Sequence, residues 1–211
     1  MKRLAIIGAS GHGKVVAEIA ELNGWLDIVF FDDDIQKKSI NNSEVKGDIK
    51  AFLSNKTEFD GFFVAIGNNH VRKKKTEYIL SKGANNLISL RHPSAVFSKY
   101  SKIGLGSIIM AGAVVNSMSK IGMSVIINTN STIEHDNFIQ DYVHISPGVS
   151  IAGNVSIAML TWVGIGSSIK QNISIGSNVT IGAGSVVVKN VKNNVTVFGV
   201  PAKSQLINVK Y

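Results

Sequence analysis

The sequence predicts two folds in series: an α/β domain with a parallel sheet over residues 1–96, then an all-β parallel β-helix over residues 97–211. Three observations carry this. Charge density falls abruptly near residue 96, since the first 96 residues hold 14 Lys/Arg and 11 Asp/Glu and the remainder only 8 and 3. A large apolar side chain recurs at every sixth position from Phe97 to Val187. Near the start, the turn Gly8-Ala9-Ser10-Gly11-His12-Gly13 joins an apolar run to a helix-like stretch.

Composition bounds the partners. The 211 residues are 45% hydrophobic with a net charge of +8 and no cysteine. That excludes disulfide scaffolds, cysteine nucleophiles and thiolate metal sites, and it suits a reducing, cytoplasmic compartment. No basic stretch leads into an apolar run with a cleavage site, and no window reaches the ~18 apolar residues of a membrane span. The excess charge divides as +3 and +5 between the two parts, so neither is strongly basic. The cluster Arg72-Lys73-Lys74-Lys75 would spread around a helix as a solvated face, without the interleaved aromatics that single-stranded nucleic acid favours. Phosphate-bearing small molecules are the better match, and no nucleic-acid partner is expected.

In the first domain, Leu4-Ala5-Ile6-Ile7 reads as a buried strand that runs through the glycine turn into a helix from Lys14 to Asn23. Such a turn lets backbone N–H groups and the positive end of a helix meet a phosphate. Its spacing is not that of the dinucleotide fingerprint. Ile28 to Phe31 makes a second strand ending in Asp32-Asp33-Asp34, and Phe62 to Ile66 a third ending in Gly67-Asn68-Asn69. These loops gather at the carboxyl edge of a Rossmann-like parallel sheet, where ligands bind. A hydride-transferring nicotinamide domain is the alternative, but about 90 residues are too few for two mononucleotide halves.

In the second domain the ladder runs Phe97, Ile103, Ile109, Val115, Ile121, Ile127, Ile133, Ile139, Ile145, Ile151, Ile157, Val163, Ile169, Ile175, Ile181 and Val187. The position two before each is usually small or β-branched, and a glycine often follows, as at Gly104, Gly122 and Gly164. Residues two apart in a strand share a face, so each hexad points two side chains inward and then uses a Gly, Asn or Ser to turn a corner. Three hexads close a triangle, and coils of eighteen residues stack at ~4.8 Å, giving about five coils. The register ends at Asn193, leaving a tail with Gly199-Val200-Pro201-Ala202-Lys203.

Two of the five histidines fall in the prism. His135 sits at an outward corner between Glu134 and Asp136, in a segment whose only other acid is Asp141. His144 precedes the inward Ile145 and points out from the middle of a face. A carboxylate beside an imidazole fixes its tautomer and raises its basicity. One coil beyond His135 lies Gly153, whose N–H would come within a strand spacing of that corner. The chemistry this suits is proton abstraction from an attacking nucleophile by His135, with the Gly153 N–H stabilising an oxyanion.

The repeat resembles that of the hexapeptide-repeat acyltransferases, whose coils form a left-handed β-helix. The resemblance implies a homotrimer with acyl-coenzyme A sites in the grooves between subunits. Across nearly the whole chain the residues are similar to the nucleotide-sugar acetyltransferase family that includes the bacillosamine-pathway N-acetyltransferase and the sialic acid O-acetyltransferase group. The motifs are Gly8-Ala9-Ser10-Gly11-His12-Gly13, Ala65-Ile66-Gly67-Asn68-Asn69 with Arg72, Asn128-Thr129, Glu134-His135-Asp136, His144-Ile145-Ser146-Pro147-Gly148 and the Pro201 tail. By this resemblance Ser10, Gly11, His12, Asp32, Asp33 and Asn69 hold the nucleotide-sugar. It also makes His135 the base, Asp136 its orienter, and His144, Ile165 and Ala183 contacts to acetyl-CoA. The implied function is acetyl-CoA-dependent N-acetylation of a nucleotide-linked amino sugar, a 4-amino-4,6-dideoxyhexose, for bacterial surface polysaccharide or glycan synthesis.

Three other readings stand beside it. O-acetylation of sialic acid or a related sugar needs the same base. A zinc hydratase needs several converging histidines, and His135 and His144, nine residues apart, fall on opposite sides of one prism, so no metal is expected. A non-catalytic scaffold explains the ladder but not the charged corner.

Overall fold

The computed structural model describes residues 2–34, 36–41 and 43–204. Residues 205–211 of the expected second domain lie outside the described residues. The chain parts into two compact units at Pro93–Ser94.

In the first unit β1 (Arg3–Ile7), β2 (Asp27–Phe31) and β5 (Gly61–Val64) form a parallel sheet with β1 in the middle. Between β2 and β5 come β3 (Ser39–Ile40), its antiparallel partner β4 (Ser43–Glu44) and the short helix α2 (Ile49–Ser54). The helices α1 (Gly11–Leu22) and α3 (Asn69–Ser81) follow β1 and β5. After the charged first residues Arg3 and Asp27, the sheet strands are unbroken apolar runs because helices cover the sheet, as parallel topologies require. Phe31, Phe52, Phe59 and Phe62 pack as a cluster beneath, with Phe31–Phe52 ring centroids 5.5 Å apart. The turn after β1 depends on two glycines. Gly8 has φ +113°, and a Cβ on Gly13 would lie 2.3 Å from the Gly8 carbonyl oxygen, so only glycine lets α1 start this close to the strand end.

One expectation here is corrected. Arg72 is not on a solvated face; it is 1% exposed and among the largest fully buried side chains. Its guanidinium donates to the carbonyls of Ile66 (2.9 Å) and Gly67 (2.8 Å) and to Asn69 Oδ1 (3.0 Å). A buried arginine is tolerable only when its donors are satisfied, and two of these acceptors are carbonyls of the loop that follows β5.

The second unit is a parallel β-solenoid of about six turns. Along one face the strand holding Phe97 pairs in parallel with that of Val115, and so on through Ile133, Ile151, Ile169 and Val187. The series from Ile103 and from Ile109 build the other two faces in the same way. From Ile109 onward every ladder residue is at most 4% exposed, so the ladder is the core.

Gly, Asn and Ser turn most of the corners, as expected, but not from the position directly after the ladder residue. A left-handed residue recurs at every sixth position from Gly106 through Met118, Asn130, Asp136 and Asn154 to Gly184, with φ between +50° and +73°. It sits three past the ladder residue. The glycines directly after the ladder serve close stacking instead: a Cβ on Gly104 would lie 2.5 Å from Gly122, and one on Gly164 2.6 Å from the Ile181 carbonyl oxygen.

The small position before each ladder residue also has a reason that spacing alone does not disclose. A buried hydroxyl there donates to the carbonyl fifteen residues on and accepts from the N–H eighteen on. Ser107 does so with Gly122 and Val125, Ser119 with Glu134 and Asn137, and Thr161 with Gly176 and Val179. Each bond ties one coil to the next and satisfies corner groups that would otherwise be buried unpaired.

The solenoid continues past Asn193. Val191 and Val197 pair with Ile175 and Ile181, sixteen residues apart rather than eighteen. The last coil is two residues short, so a strict count of six lands on Asn193 and Gly199 while the core is filled by Val197.

Candidate active site

At the corner after Ile133 the left-handed residue is Asp136, with φ +59°. Aspartate is among the few L residues that accept this conformation readily. The turn brings its carboxylate back to the preceding side chain, and His135 Nδ1 lies 2.8 Å from Asp136 Oδ2. With Nδ1–H donating to the carboxylate, Nε2 is left as the acceptor, which is what a general base needs. Both side chains are more than half exposed. The imidazole lies across Gly153, where a Cβ would be 2.6 Å from Nε2. The Gly153 carbonyl accepts from Asn172 N–H (3.2 Å), while its own N–H has no hydrogen-bond partner among the described residues.

Glu134 does not share in the dyad. Its Oε2 accepts from Asn116 Nδ2 (2.8 Å), one coil earlier. The group beneath the corner is Asn137, 1% exposed, whose Nδ2 donates to the carbonyls of Glu134 (2.6 Å) and Ala152 (3.1 Å) and whose Oδ1 accepts from Val155 N–H (2.9 Å). A longer side chain at the usual serine position thus fixes both coils on which His135 and Gly153 ride. A cleft of about 380 Å³ opens beside the dyad, lined by Met118, Lys120, Asp136, Asn137, Phe138 and Asn154.

His144 leaves the core to Ile145 but is only 8% exposed. Trp162, its strand partner one coil on, stacks on the imidazole at 4.9 Å, and Asn128 Nδ2 lies 3.2 Å from Nε2. Trp162 is itself held by a bond to Ser146 Oγ (2.8 Å). The pairing is visible in the sequence only once the coil length is known. Ile165 and Ala183 are exposed, eighteen residues apart on the corner that follows this face. His135 lies on a different corner of the same prism, so one chain does not bring the two groups together.

In the first unit, a cleft of about 180 Å³ at the carboxyl edge of the sheet collects Gly8, Ser10, Asp32, Asp33, Gly67 and Lys75. Of the expected ligand residues, Ser10, Asp32 and Asp33 line it, while Gly11, His12 and Asn69 do not. Asn69 is 3% exposed and bonded to Arg72. His12 lies nearby with Nε2 buried and without a hydrogen-bond partner among the described residues. Burial, and then the Arg72 guanidinium, lower its pKa to about 4, so it is neutral at pH 7. Asp32 accepts from Ala9 N–H (2.6 Å), Asp34 N–H (2.9 Å) and Lys37 Nζ (3.1 Å). Burial would raise its pKa, but these donors together hold it below the ordinary value. Asp33 pairs with Lys75. Among the described residues no three His, Asp or Glu side chains group as metal ligands, and no helix is long and apolar enough to cross a membrane.

The family model for the PglD N-terminal domain matches residues 3–79. The UDP-N-acetylbacillosamine N-acetyltransferase of Bacillus subtilis (strain 168) is 40% identical over 114 residues, 53% of this chain and 52% of that protein. The match therefore spans about half the length of this curated relative. Solved structures match end to end. The acetyltransferase domain of PglB from Neisseria gonorrhoeae FA1090, in complex with acetyl coenzyme A, has a TM-score of 0.92 at 41% identity, covering 97% of this chain and 99% of that one. A mutant of perosamine N-acetyltransferase from Caulobacter crescentus, in complex with CoA and GDP-perosamine, has a TM-score of 0.93 at 32% identity and covers 97% of both chains. With the glycine turn, the hexad ladder and the His135 corner, these full-length matches show that the chain belongs to the hexapeptide-repeat nucleotide-sugar acetyltransferase family.

Proposed function

We propose that this protein transfers the acetyl group of acetyl-CoA to the amino group of a nucleotide-linked amino sugar, a 4-amino-4,6-dideoxyhexose, in the cytoplasm. The observation that carries this reading is the 2.8 Å His135–Asp136 contact with the imidazole lying on Gly153. Support comes from relatives that match 97% of this chain and were solved with acetyl coenzyme A or with CoA and GDP-perosamine.

In the reaction the sugar amine attacks the thioester carbonyl carbon. The C–N bond forms, the nitrogen gives its proton to His135 Nε2, and Asp136 stabilises the imidazolium. The Gly153 N–H donates to the developing oxyanion. The C–S bond then breaks and the coenzyme A thiolate leaves. Ile165 and Ala183 supply exposed surface for the pantetheine arm, and His144, covered by Trp162, acts through the indole it supports. Because these residues and His135 occupy different corners, the site is completed by a second copy of the chain, in a homotrimer. Ser10, Asp33 and the N–H groups of the glycine turn hold the nucleotide, while Asp32 shapes the loop; Gly11, His12 and Asn69 hold that turn and the loop after β5.

The test is thiol release from acetyl-CoA with UDP-, dTDP- and GDP-linked amino sugars against free sialic acid. N-acetylated product from at least one nucleotide-linked amine, and none from sialic acid, is the expected result. Acetylation of hydroxyl acceptors alone would replace this reading with O-transfer.

A further inference from the structure

The donor side of the proposed reaction involves one more residue. A coil of eighteen residues advances ~4.8 Å, so height along the prism rises by about 0.27 Å per residue. In a cyclic trimer of parallel prisms a residue keeps its height in every copy, so residue number shows which groups stand level across a groove. His144 lies midway between His135 and Gly153, Trp162 about 2.4 Å above Gly153, and Ala183 about 8 Å above it. A thioester held between His135 Nε2 and the Gly153 N–H therefore stands beside His144 and Trp162, and the pantetheine arm runs on past Ile165 and Ala183.

Near that height His144 and Ser146 are buried, Pro147 is half-buried, and Trp162 and Ile165 are exposed. Trp162 is held from two directions. Its indole stacks on the His144 ring with centroids 4.9 Å apart and planes 18° from parallel, and Nε1 donates to Ser146 Oγ at 2.8 Å. The single donor of the indole is thus used, so the exposed part of the ring is an apolar edge in a fixed position. The prism itself does not require an aromatic there. Its core at this level is filled by Val163, and the outward strand positions nearby are Ser150, Ser156, Ser168, Ser174 and Thr180.

We propose that Trp162 sets the length of the acyl group that is transferred. The held edge of its indole closes the space beyond the acetyl methyl, so a two-carbon acyl group fits and a longer one meets the ring. The ring yields little, because moving it breaks both the stack on His144 and the bond to Ser146. Trp162 is in this sense a specificity residue that takes no part in proton transfer. The placement rests on the acetyl-transfer and homotrimer readings above.

Initial-rate thiol release with acetyl-, propionyl- and butyryl-CoA, all with the same nucleotide-linked amino sugar, tests it. In the unaltered chain kcat/KM falls about tenfold or more for each added methylene, the worth of one such group in a tight apolar site. Trp162→Ala brings butyryl-CoA to within about threefold of acetyl-CoA. Trp162→Phe, which keeps a smaller ring on His144, admits propionyl-CoA and still rejects butyryl-CoA. The readout is the ratio between donors, so a general loss of rate from a loosened fold leaves it unmoved, and the Phe variant serves where the Ala variant does not fold. Variants that keep the acyl preference of the unaltered chain, or an unaltered chain that uses butyryl-CoA as readily as acetyl-CoA, overturn the proposal. Absence of transfer from every donor in the unaltered chain removes instead the acetyl-transfer reading on which it rests.

Discussion

Replacing Gly153 by alanine tests whether the position of the imidazole, and not merely its presence, sets the rate. An added Cβ lies 2.5 Å from Cε1, 2.6 Å from Nε2 and 3.1 Å from Nδ1 of His135. Carbon atoms in contact sit ≈ 3.5–4.0 Å apart, so the ring must retreat by about 1 Å. The 2.8 Å bond to Asp136 does not survive that movement. The backbone at Gly153 is not left-handed and accepts alanine without strain, and the displaced ring is mostly exposed. Stability therefore changes little, with Tm within about 2 °C. The N–H of residue 153 is retained, so the oxyanion donor is unchanged. A displacement of about 1 Å at a catalytic group costs on the order of 100-fold in rate, about 2.7 kcal/mol of barrier. The assay is initial-rate thiol release at saturating acetyl-CoA, paired with a thermal melt. A kcat within about threefold of the unaltered chain, with the same Tm, refutes the placement of His135 against Gly153 as a rate-setting contact.

Asp136→Asn keeps a residue that tolerates φ +59° but removes the carboxylate, so kcat drops at least about tenfold with an unchanged melt, whereas Asp136→Ala also loses about 1 kcal/mol of stability, read by denaturant titration. Asn137→Ala strands the carbonyls of Glu134 and Ala152 and the N–H of Val155 inside the corner, and denaturant titration should show a loss of about 2–4 kcal/mol. His12 has a folded pKa of about 4, below the ordinary ~6.5, so between these values the unfolded chain binds a proton that the folded chain does not. Stability is full above pH ~6.5 and falls as pH drops towards 4, by about 3 kcal/mol from this group; pH-dependent melts of His12→Gln should lack that component.

Where sequence and structure agree, the signal is a short period under strong selection by burial. The hexad ladder is legible because one residue in six must be large and apolar to fill the prism, and any slip would expose it. Asp136 beside His135 is legible for another reason, because charge is rare in that segment. What stayed hidden depends on contacts between coils. The hydroxyls of Ser107, Ser119 and Thr161 bond fifteen and eighteen residues away, and a small residue at that position looks like simple steric fit. Glycine after the ladder suggests a flexible corner, but Gly104 and Gly164 are there because the next coil's backbone is in contact. His144 was expected to face out and is covered by Trp162, a residue eighteen positions later. Arg72, inside a basic run, reads as solvated until the carbonyls of Ile66 and Gly67 are seen converging on it. The shortened final coil escapes a period of six because Val191 and Val197 are two residues early.

The most direct measurement is single-turnover acetyl transfer by the unaltered chain and by His135→Ala, with acetyl-CoA and the nucleotide-linked amino sugar identified as acceptor. The unaltered chain is expected to form N-acetyl product in step with thiol release. His135→Ala, folded and with nucleotide affinity unchanged, should be slower by about 100-fold or more, the worth of a general base. Transfer by His135→Ala at more than about a tenth of the original rate would contradict the account.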